Sequence, residues 1–177
     1  MDRGGSSKLL LSMKRLLIIG AGGHGRVVGE VAEACGYEIS FLDDQPGDGV
    51  IGTVADIDGV KDSFDEFIVG IGNNSKRQAL QEELEQKGLS IATLVHPTAY
   101  ISPTATINAG TVIEPKAVVN TNSVIEKGGI ISVGAIVDHD AVIGAYAHVN
   151  AGTICKGGAR VEPGTKLEAG EVIHGFN

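Results

Sequence analysis

The chain has 177 residues, 42 % apolar and 4 % aromatic with no Trp, 26 Gly, and a formal net charge of -8. Its length fits one ordinary domain or two small ones, and an acidic chain without a run of Lys or Arg is a poor partner for nucleic acid. No stretch approaches the ~18 apolar residues of a membrane-crossing helix, and Cys35 and Cys155, without a CxxC, read as reduced thiols of a cytoplasmic protein.

Glycine stands at about twice its usual share of roughly 7 %. Without Pro enrichment, that excess implies tight turns at regular intervals, and the scarcity of aromatics implies a core of small and β-branched side chains. Residues 1–13 read as an extension or an alternative start at Met13, because Leu9–Leu11 is too short for a signal segment. Leu16–Ile19 is a continuous apolar run, expected as a buried parallel strand. It enters Gly20-Ala21-Gly22-Gly23-His24-Gly25, a GxGxxG loop whose amides can hold phosphate oxygens at a helix N-terminus. A helix is expected over 26–36, with Val27, Val28, Val31 and Ala32 on one face. A second strand over Ile39–Leu42 ends in Asp43-Asp44.

A third strand over Phe67–Ile71 ends in Gly72-Asn73-Asn74. A helix then runs from about Ser75 to Lys87, with Gly88 as its stop. Ile91–Val95 reads as a fourth strand, broken at His96-Pro97. Residues 14–97 therefore form a Rossmann-like α/β half-domain whose strand ends share one carboxyl edge, where ligands bind. GxGxxG alone also fits an unliganded tight turn. The unit is roughly half of a dinucleotide fold, which disfavours an NAD-dependent oxidoreductase.

From Ile101 a ruler of six lands on Ile107, Ile113, Val119, Ile125, Ile131, Val137, Ile143, Val149, Cys155, Val161, Leu167 and Ile173. Four residues after each comes a small residue, until Glu171 and Asn177. No helix has this period. Short strands with sharp corners do, one aliphatic side chain pointing inward per face, so three faces make an eighteen-residue triangular coil. Residues 98–177 are expected to form that parallel β-helix, and the unbroken register excludes accidental spacing.

From Lys14 onward the chain resembles the hexapeptide-repeat acyltransferases, within them the sialic-acid O-acetyltransferase and bacillosamine-pathway N-acetyltransferase group. The resemblance rests on the Gly20–Gly25 loop with His24, Phe41-Leu42-Asp43-Asp44, Gly72-Asn73-Asn74, Leu94-Val95-His96-Pro97, and Val137-Asp138-His139-Asp140 before Val142-Ile143-Gly144. It implies a left-handed β-helix, a homotrimer, acetyl-CoA as co-substrate in the groove between neighbouring prisms, and a nucleotide-linked amino sugar (or hydroxyl acceptor) as substrate. It places Gly23, His24 and Gly25 at the phosphates, Asp43 and Asp44 at the base or ribose, and Gly72, Asn73 and Asn74 at the pyrophosphate. Family chains continue for one or two more coils, so a non-catalytic member is the competing expectation.

Acetyl transfer to an amine or hydroxyl needs a base, and His is the usual one. His139 stands between two carboxylates, and one of them can fix one ring nitrogen as N–H and leave the other free. The resemblance names His139 as base and Asp140 as its orienting acid, with Asp138 as the alternative. His148 is half a coil away on a different side of the prism, so the two histidines converge only across a subunit interface, where His148 would contact the coenzyme. A backbone amide near Gly152 or Gly134 is expected for the oxyanion. Arg77 is either a ligand-binding cation or a surface residue, Cys155 points inward, His96 is a junction residue, His174 carries no role, and no metal set is expected.

Overall fold

The computed structural model describes residues 13–176; the segment 1–12 and Asn177 lie outside the described residues, and so does most of the expected extension. The N-terminal part runs β1 (Arg15–Ile19), α1 (Gly23–Ala34), β2 (Glu38–Leu42), β3 (Val50–Gly52), α2 (Ile57–Val60), β4 (Glu66–Val69) and α3 (Asn74–Gln86). Its strands form one parallel sheet in the order β3-β2-β1-β4. Both faces are covered. Leu16 and Ile18 pack with Val28, Val31 and Ala32 on one side, Leu17 and Ile19 with Ile57, Phe67 and Leu84 on the other. Two-sided burial is why β1 reads as an unbroken apolar run.

The turn from β1 into α1 is very tight. A Cβ on Gly25 would stand 2.1 Å from the Gly20 carbonyl oxygen, so only glycine fits where α1 crosses the loop. The helix begins at Gly23, three residues before its expected start, and Val27 turns out to solvent. Strand β3 has no counterpart in the sequence reading, since three residues are too few to show a period.

Ile91–Val95 is not a fourth strand of this sheet. Ile91 makes a single bridge to Phe67, and Leu94–Val95 pairs instead with Val112–Ile113 as the first rung of the β-helix. The expected boundary at 97/98 therefore falls inside the first coil. Val95 sits six residues before Ile101, so the ruler already reached it.

The rest of the chain is a left-handed parallel β-helix. Two-residue rungs stack in three sheets with an eighteen-residue offset, as in Val137↔Cys155 and Ile131↔Val149. Ile113, Val119, Ile125, Ile131, Val137, Ile143, Val149 and Cys155 are all fully buried along the axis. Between them lie Ala117, Ala135, Ala141, Ala147 and Ala159, with Ser123 and Thr153, also fully buried. Their hydroxyls are satisfied: Ser123 Oγ donates to the Asp138 carbonyl (2.6 Å) and Thr153 Oγ1 to the Glu168 carbonyl (3.0 Å).

Every sixth residue from Gly110 to Gly170 has a positive φ, which accounts for much of the glycine excess. Four are not glycine: Lys116, Asn122, Asp140 and Tyr146. The N–H of most of these corner residues donates to a carbonyl of the preceding coil, for example Asp140 to Thr121 (2.9 Å) and Gly158 to His139 (2.9 Å).

One face of the prism is closed by the N-terminal part. Val112 and Ile130, which point out of the prism, are 1 % exposed. Arg77 of α3 locks this junction. Its Nε donates to the Gly128 carbonyl (2.8 Å), Nη2 to the Tyr146 carbonyl (2.7 Å) and to Asn74 Oδ1 (2.9 Å), and Nη1 to the Ile71 carbonyl (3.1 Å). The expectation of a surface residue is corrected: Arg77 is 1 % exposed, and it spends its donors on carbonyl and amide oxygens.

Candidate active site

Two histidine sites emerge. At the first, the chain leaves the rung Ile136–Val137 and turns through Asp138-His139-Asp140. Asp140 occupies a left-handed corner (φ 58°), a conformation that Asp tolerates better than most residues. Its Oδ2 lies 2.8 Å from His139 Nδ1, so Nδ1 carries the proton and Nε2 is left as the free nitrogen. This hydrogen bond holds the imidazole pKa above its ordinary value, and the carboxyl of Asp140 below its own. Asp138 takes the other role. Its Oδ1 accepts the His139 backbone N–H (2.8 Å) and Asn120 Nδ2 (3.0 Å), so it fixes the turn rather than the ring.

One coil on, at 157, the ladder Thr121, His139, Gly157 changes character. The amides of Thr121 and His139 donate to the side chains of Asn120 and Asp138. Gly157 follows Lys156, which offers no acceptor, and its N–H has no protein partner among the described residues. The His139 ring lies over Gly157: a Cβ there would come within 2.7 Å of Nε2. The free imidazole nitrogen thus lies beside a residue whose amide is free. The amides expected for that task are spoken for. Gly152 donates to the Val133 carbonyl (3.1 Å) and Gly134 to the Pro115 carbonyl (3.1 Å), the ordinary corner bonds of the coil. Stepping eighteen residues from His139 was the signal that would have found Gly157.

The second site is the junction. His148 is 8 % exposed, on the prism face covered by the N-terminal part. Its ring centroid lies 6.1 Å from that of His24, and its Nε2 is 3.1 Å from Ser132 Oγ. Glu114, also buried, accepts the Val133 N–H (2.9 Å) and reaches within 3.9 Å of His24 Nδ1. Burial pushes His24 down to about 4, helped by Arg77 and Lys166. Burial, His24, Arg77 and Lys166 push His148 down to about 4 as well. The His24–Glu114 contact is therefore made by a neutral imidazole and is no ion pair. His24 Nε2 and His148 Nδ1 are buried without a partner among the described residues. His139 and His148 share no neighbour, so one chain does not bring them together. Glu114 and Lys166 carried no signal in the sequence reading, although Lys166 lies one coil beyond His148.

Of the loops expected to bind substrate, Gly72-Asn73-Asn74 lines the same junction, while Asp43 and Asp44 face a hollow within the N-terminal part. Asp43 Oδ2 accepts the Ala21 N–H (2.6 Å) and Oδ1 that of Gln45 (2.8 Å), which hold its pKa down and shape the glycine loop. Asp44 borders a 420 Å³ hollow with Val50, Ile51 and Thr53. Asn73 caps α3, its Oδ1 accepting from Lys76 N (3.0 Å), and Asn74 Nδ2 donates to the Gly164 carbonyl (2.8 Å). Gly72, Asn73 and Asn74 line a 470 Å³ cleft closed on the far side by Gly164 and Lys166 of the β-helix. Gly23, His24 and Gly25 form the first turn of α1.

Of the remaining residues, His96 Nδ1 is tied to Thr98 Oγ1 (2.9 Å), and His174 sits 3.5 Å from Lys156 Nζ. Cys155 is buried, with its thiol pushed up to about 11. Among the described residues no His, Cys, Asp and Glu converge on a metal position, and no helix is long and apolar enough to cross a membrane.

Residues 15–84 match the PglD N-terminal domain. The chain is 32 % identical over 110 residues to the UDP-N-acetylbacillosamine N-acetyltransferase of Bacillus subtilis; the match covers 56 % of this chain and 51 % of that protein, so the chain spans about half the length of this curated relative. Among solved structures, a mutant of perosamine N-acetyltransferase from Caulobacter crescentus, in complex with CoA and GDP-perosamine, superposes with a TM-score of 0.81 at 30 % identity, covering 90 % of this chain and 88 % of that one. The acetyltransferase domain of PglB from Neisseria gonorrhoeae, in complex with acetyl coenzyme A, gives 0.72 at 30 % identity over 93 % and 100 % of the two chains.

Proposed function

The chain belongs to the sugar N-acetyltransferases of the hexapeptide-repeat family, and from that premise we propose that it transfers the acetyl group of acetyl-CoA to the amino group of a nucleotide-linked sugar. The observation that carries this reading is the pairing of a free His139 Nε2, backed by Asp140, with the unpartnered Gly157 amide. As the amine nitrogen bonds to the thioester carbon, Nε2 takes its proton. The Gly157 N–H donates to the carbonyl oxygen as it becomes an oxyanion. The C–S bond then breaks, and the thiolate leaves with the proton that His139 returns.

The nucleotide sugar is held by the N-terminal loops: Gly23, His24 and Gly25 at the phosphates, Asp43 and Asp44 at the base or ribose, and Gly72, Asn73 and Asn74 at the pyrophosphate. The side chains of Asp43, Asn73 and Asn74 are already engaged, so they serve by presenting backbone. Three copies assemble. An apolar stripe on one prism face, Tyr100, Val118, Ile136, Ile154 and Val172, leads to the His139 corner, and four of these five are exposed in the single chain. Packed against a neighbour, it sets the His139 corner of one copy in a groove beside the next, where the coenzyme lies; His148 is buried against the N-terminal part of its own chain, so its expected contact with the coenzyme is not made there. Both cysteines are free, which suits a cytoplasmic setting where both substrates are made.

Thiol release from acetyl-CoA, followed with UDP- and GDP-linked 4-amino sugars, tests the activity. Tight sugar binding without thiol release would make the chain a non-catalytic member. A monomer by light scattering would remove the inter-subunit groove for the coenzyme.

A further inference from the structure

The N-terminal part offers its substrate little positive charge beyond the exposed Lys76 in the first turn of α3. His24 in the first turn of α1 is neutral, and Arg26 is spent on the Ala21 carbonyl (3.1 Å), the Asp48 carbonyl (2.7 Å) and the Phe41 ring. On a chain of net charge -8, a diphosphate needs a cation from somewhere. Arg77 lies beneath the α3 start, but every one of its hydrogen bonds goes to a neutral oxygen, and no described carboxylate pairs with it. A buried guanidinium without a counter-charge is costly. It leaves the cleft above it at a positive potential, to which the α3 N-terminus adds.

Lys166 closes that cleft. It comes from the β-helix and stands across from Gly72, Asn73 and Ser75. The Asn74 bond to the Gly164 carbonyl ties its corner to the loop (2.8 Å). Lys166 is exposed and makes no ion pair with any described carboxylate. Beside the cleft, His148 is buried (8 % exposed), with its ring against the Gly72 backbone and 6.1 Å from His24. One exposed cation, Lys166, and a helix start line a space with no carboxylate in its lining, and the buried Arg77 guanidinium lies behind it on Asn74.

Resting on the reading above, we propose that Lys166, reaching in from the acetyl-transfer domain, is the cation that holds the diphosphate of the nucleotide sugar, with Arg77 as its buried second charge. Substrate binding thereby clamps the two parts of the chain together. The chemistry recognised is a diphosphate diester with one negative charge on each phosphate, which coenzyme A also carries, so the test separates the two sources.

Calorimetry with GDP, UDP and CoA, each alone, on wild type, Lys166→Ala and Lys166→Arg decides. We expect Lys166→Ala to weaken the better-bound nucleoside diphosphate by about tenfold or more, the scale of one charge-assisted contact. CoA affinity should stay within about twofold, Lys166→Arg should restore most of the loss, and the wild-type affinity should fall with added salt more steeply than that of the variant. Melting temperature should not move, since the side chain is exposed. Loss of CoA affinity with nucleotide binding intact would overturn the proposal and give Lys166 to the coenzyme. Wild-type affinity for CoA but for neither nucleotide would overturn the nucleotide-sugar reading itself, and this proposal with it.

Discussion

The two histidine environments of this chain are opposites. His139 stands at an open corner, half exposed, with a carboxylate on Nδ1 that raises its pKa. His148 and His24 are shut into a junction with a buried guanidinium, and burial drives both to about 4. The first is made more basic by its carboxylate; the other two stay neutral at pH 7 and can only donate or accept hydrogen bonds. The same side chain can thus take up a proton where the fold leaves it in water beside an acid, and is a fixed dipole where the fold buries it. Any experiment that titrates or removes one set without the other tests this division.

The largest effect is expected from His139→Ala. Loss of a positioned base should lower kcat by about 10²–10⁴ under saturation with both substrates. Circular dichroism and oligomeric state should be unchanged, because His139 contributes no core burial. If kcat kept more than about half its wild-type value, His139 would not be the base. Unassisted attack by a neutral amine, with the protein supplying only proximity, would be the better mechanism.

Next comes acid stability, which reads the buried pair. The folded pKa values of about 4 lie below the ordinary 6.5, so the unfolded chain binds more protons in between. Stability contributed by neutral His24 and His148 is complete above about 6.5, falls as pH drops through that window, and levels off near 4. Each contributes on the order of 2 kcal/mol after allowance for screening at a part-open cleft. Melting temperature should fall between pH 6.5 and 4, and His148→Asn should flatten that fall. A variant that follows the wild-type curve would mean that His148 is not the group responsible. Amide exchange should place the first opening at the junction, at Arg77 and the Gly72–Asn74 loop.

How much of this was legible depended on the length of the pattern. The β-helix repeats its rule thirteen times from Ile101 to Ile173, so each rung confirms the others. His139 and Asp140 were legible because two carboxylates around one imidazole is a local pattern. The first rung was lost because Leu94–Val95 sits beside His96-Pro97, a strong breaker, and local chemistry overrode a register that fitted. Gly157, Glu114 and Lys166 were missed for a different reason. Each matters through a neighbour one coil or one domain away, and a linear reading that follows the hexad column does not ask what stacks above a functional residue. Arg77 was misjudged since nothing around Ser75–Lys87 announces that this helix buries a charged side chain against another domain.

A smaller effect should follow from Gly157→Ala. The amide remains, but the new Cβ would lie 2.7 Å from His139 Nε2, so the ring must swing aside. We expect kcat to fall by about tenfold to a hundredfold, the scale of a misplaced catalytic group, with KM for both substrates nearly unchanged. A variant with raised KM for acetyl-CoA and normal kcat would show that the corner binds the coenzyme without aligning the base.

The smallest and most discriminating change is Asp140→Asn. Asp140 is exposed, and exposed charge pairs are weak, so kcat at pH 8 should fall by no more than about fivefold. The asparagine can still accept the Nδ1 proton and keep the ring oriented. What it loses is the negative charge that favours imidazolium, so the His139 pKa should drop toward or below its ordinary value. The active form of the base is neutral. In wild type its population falls as pH drops through the raised pKa; in the variant that fall begins at lower pH. The ratio of wild-type to variant kcat should therefore shrink on acidification, most where wild-type His139 is mostly protonated. An acid limb that does not move would belong to the acceptor ammonium, and one that moves upward would mean that Asp140 was not holding the His139 proton. Comparison of kcat/KM with kcat at each pH then separates the free enzyme from the ternary complex.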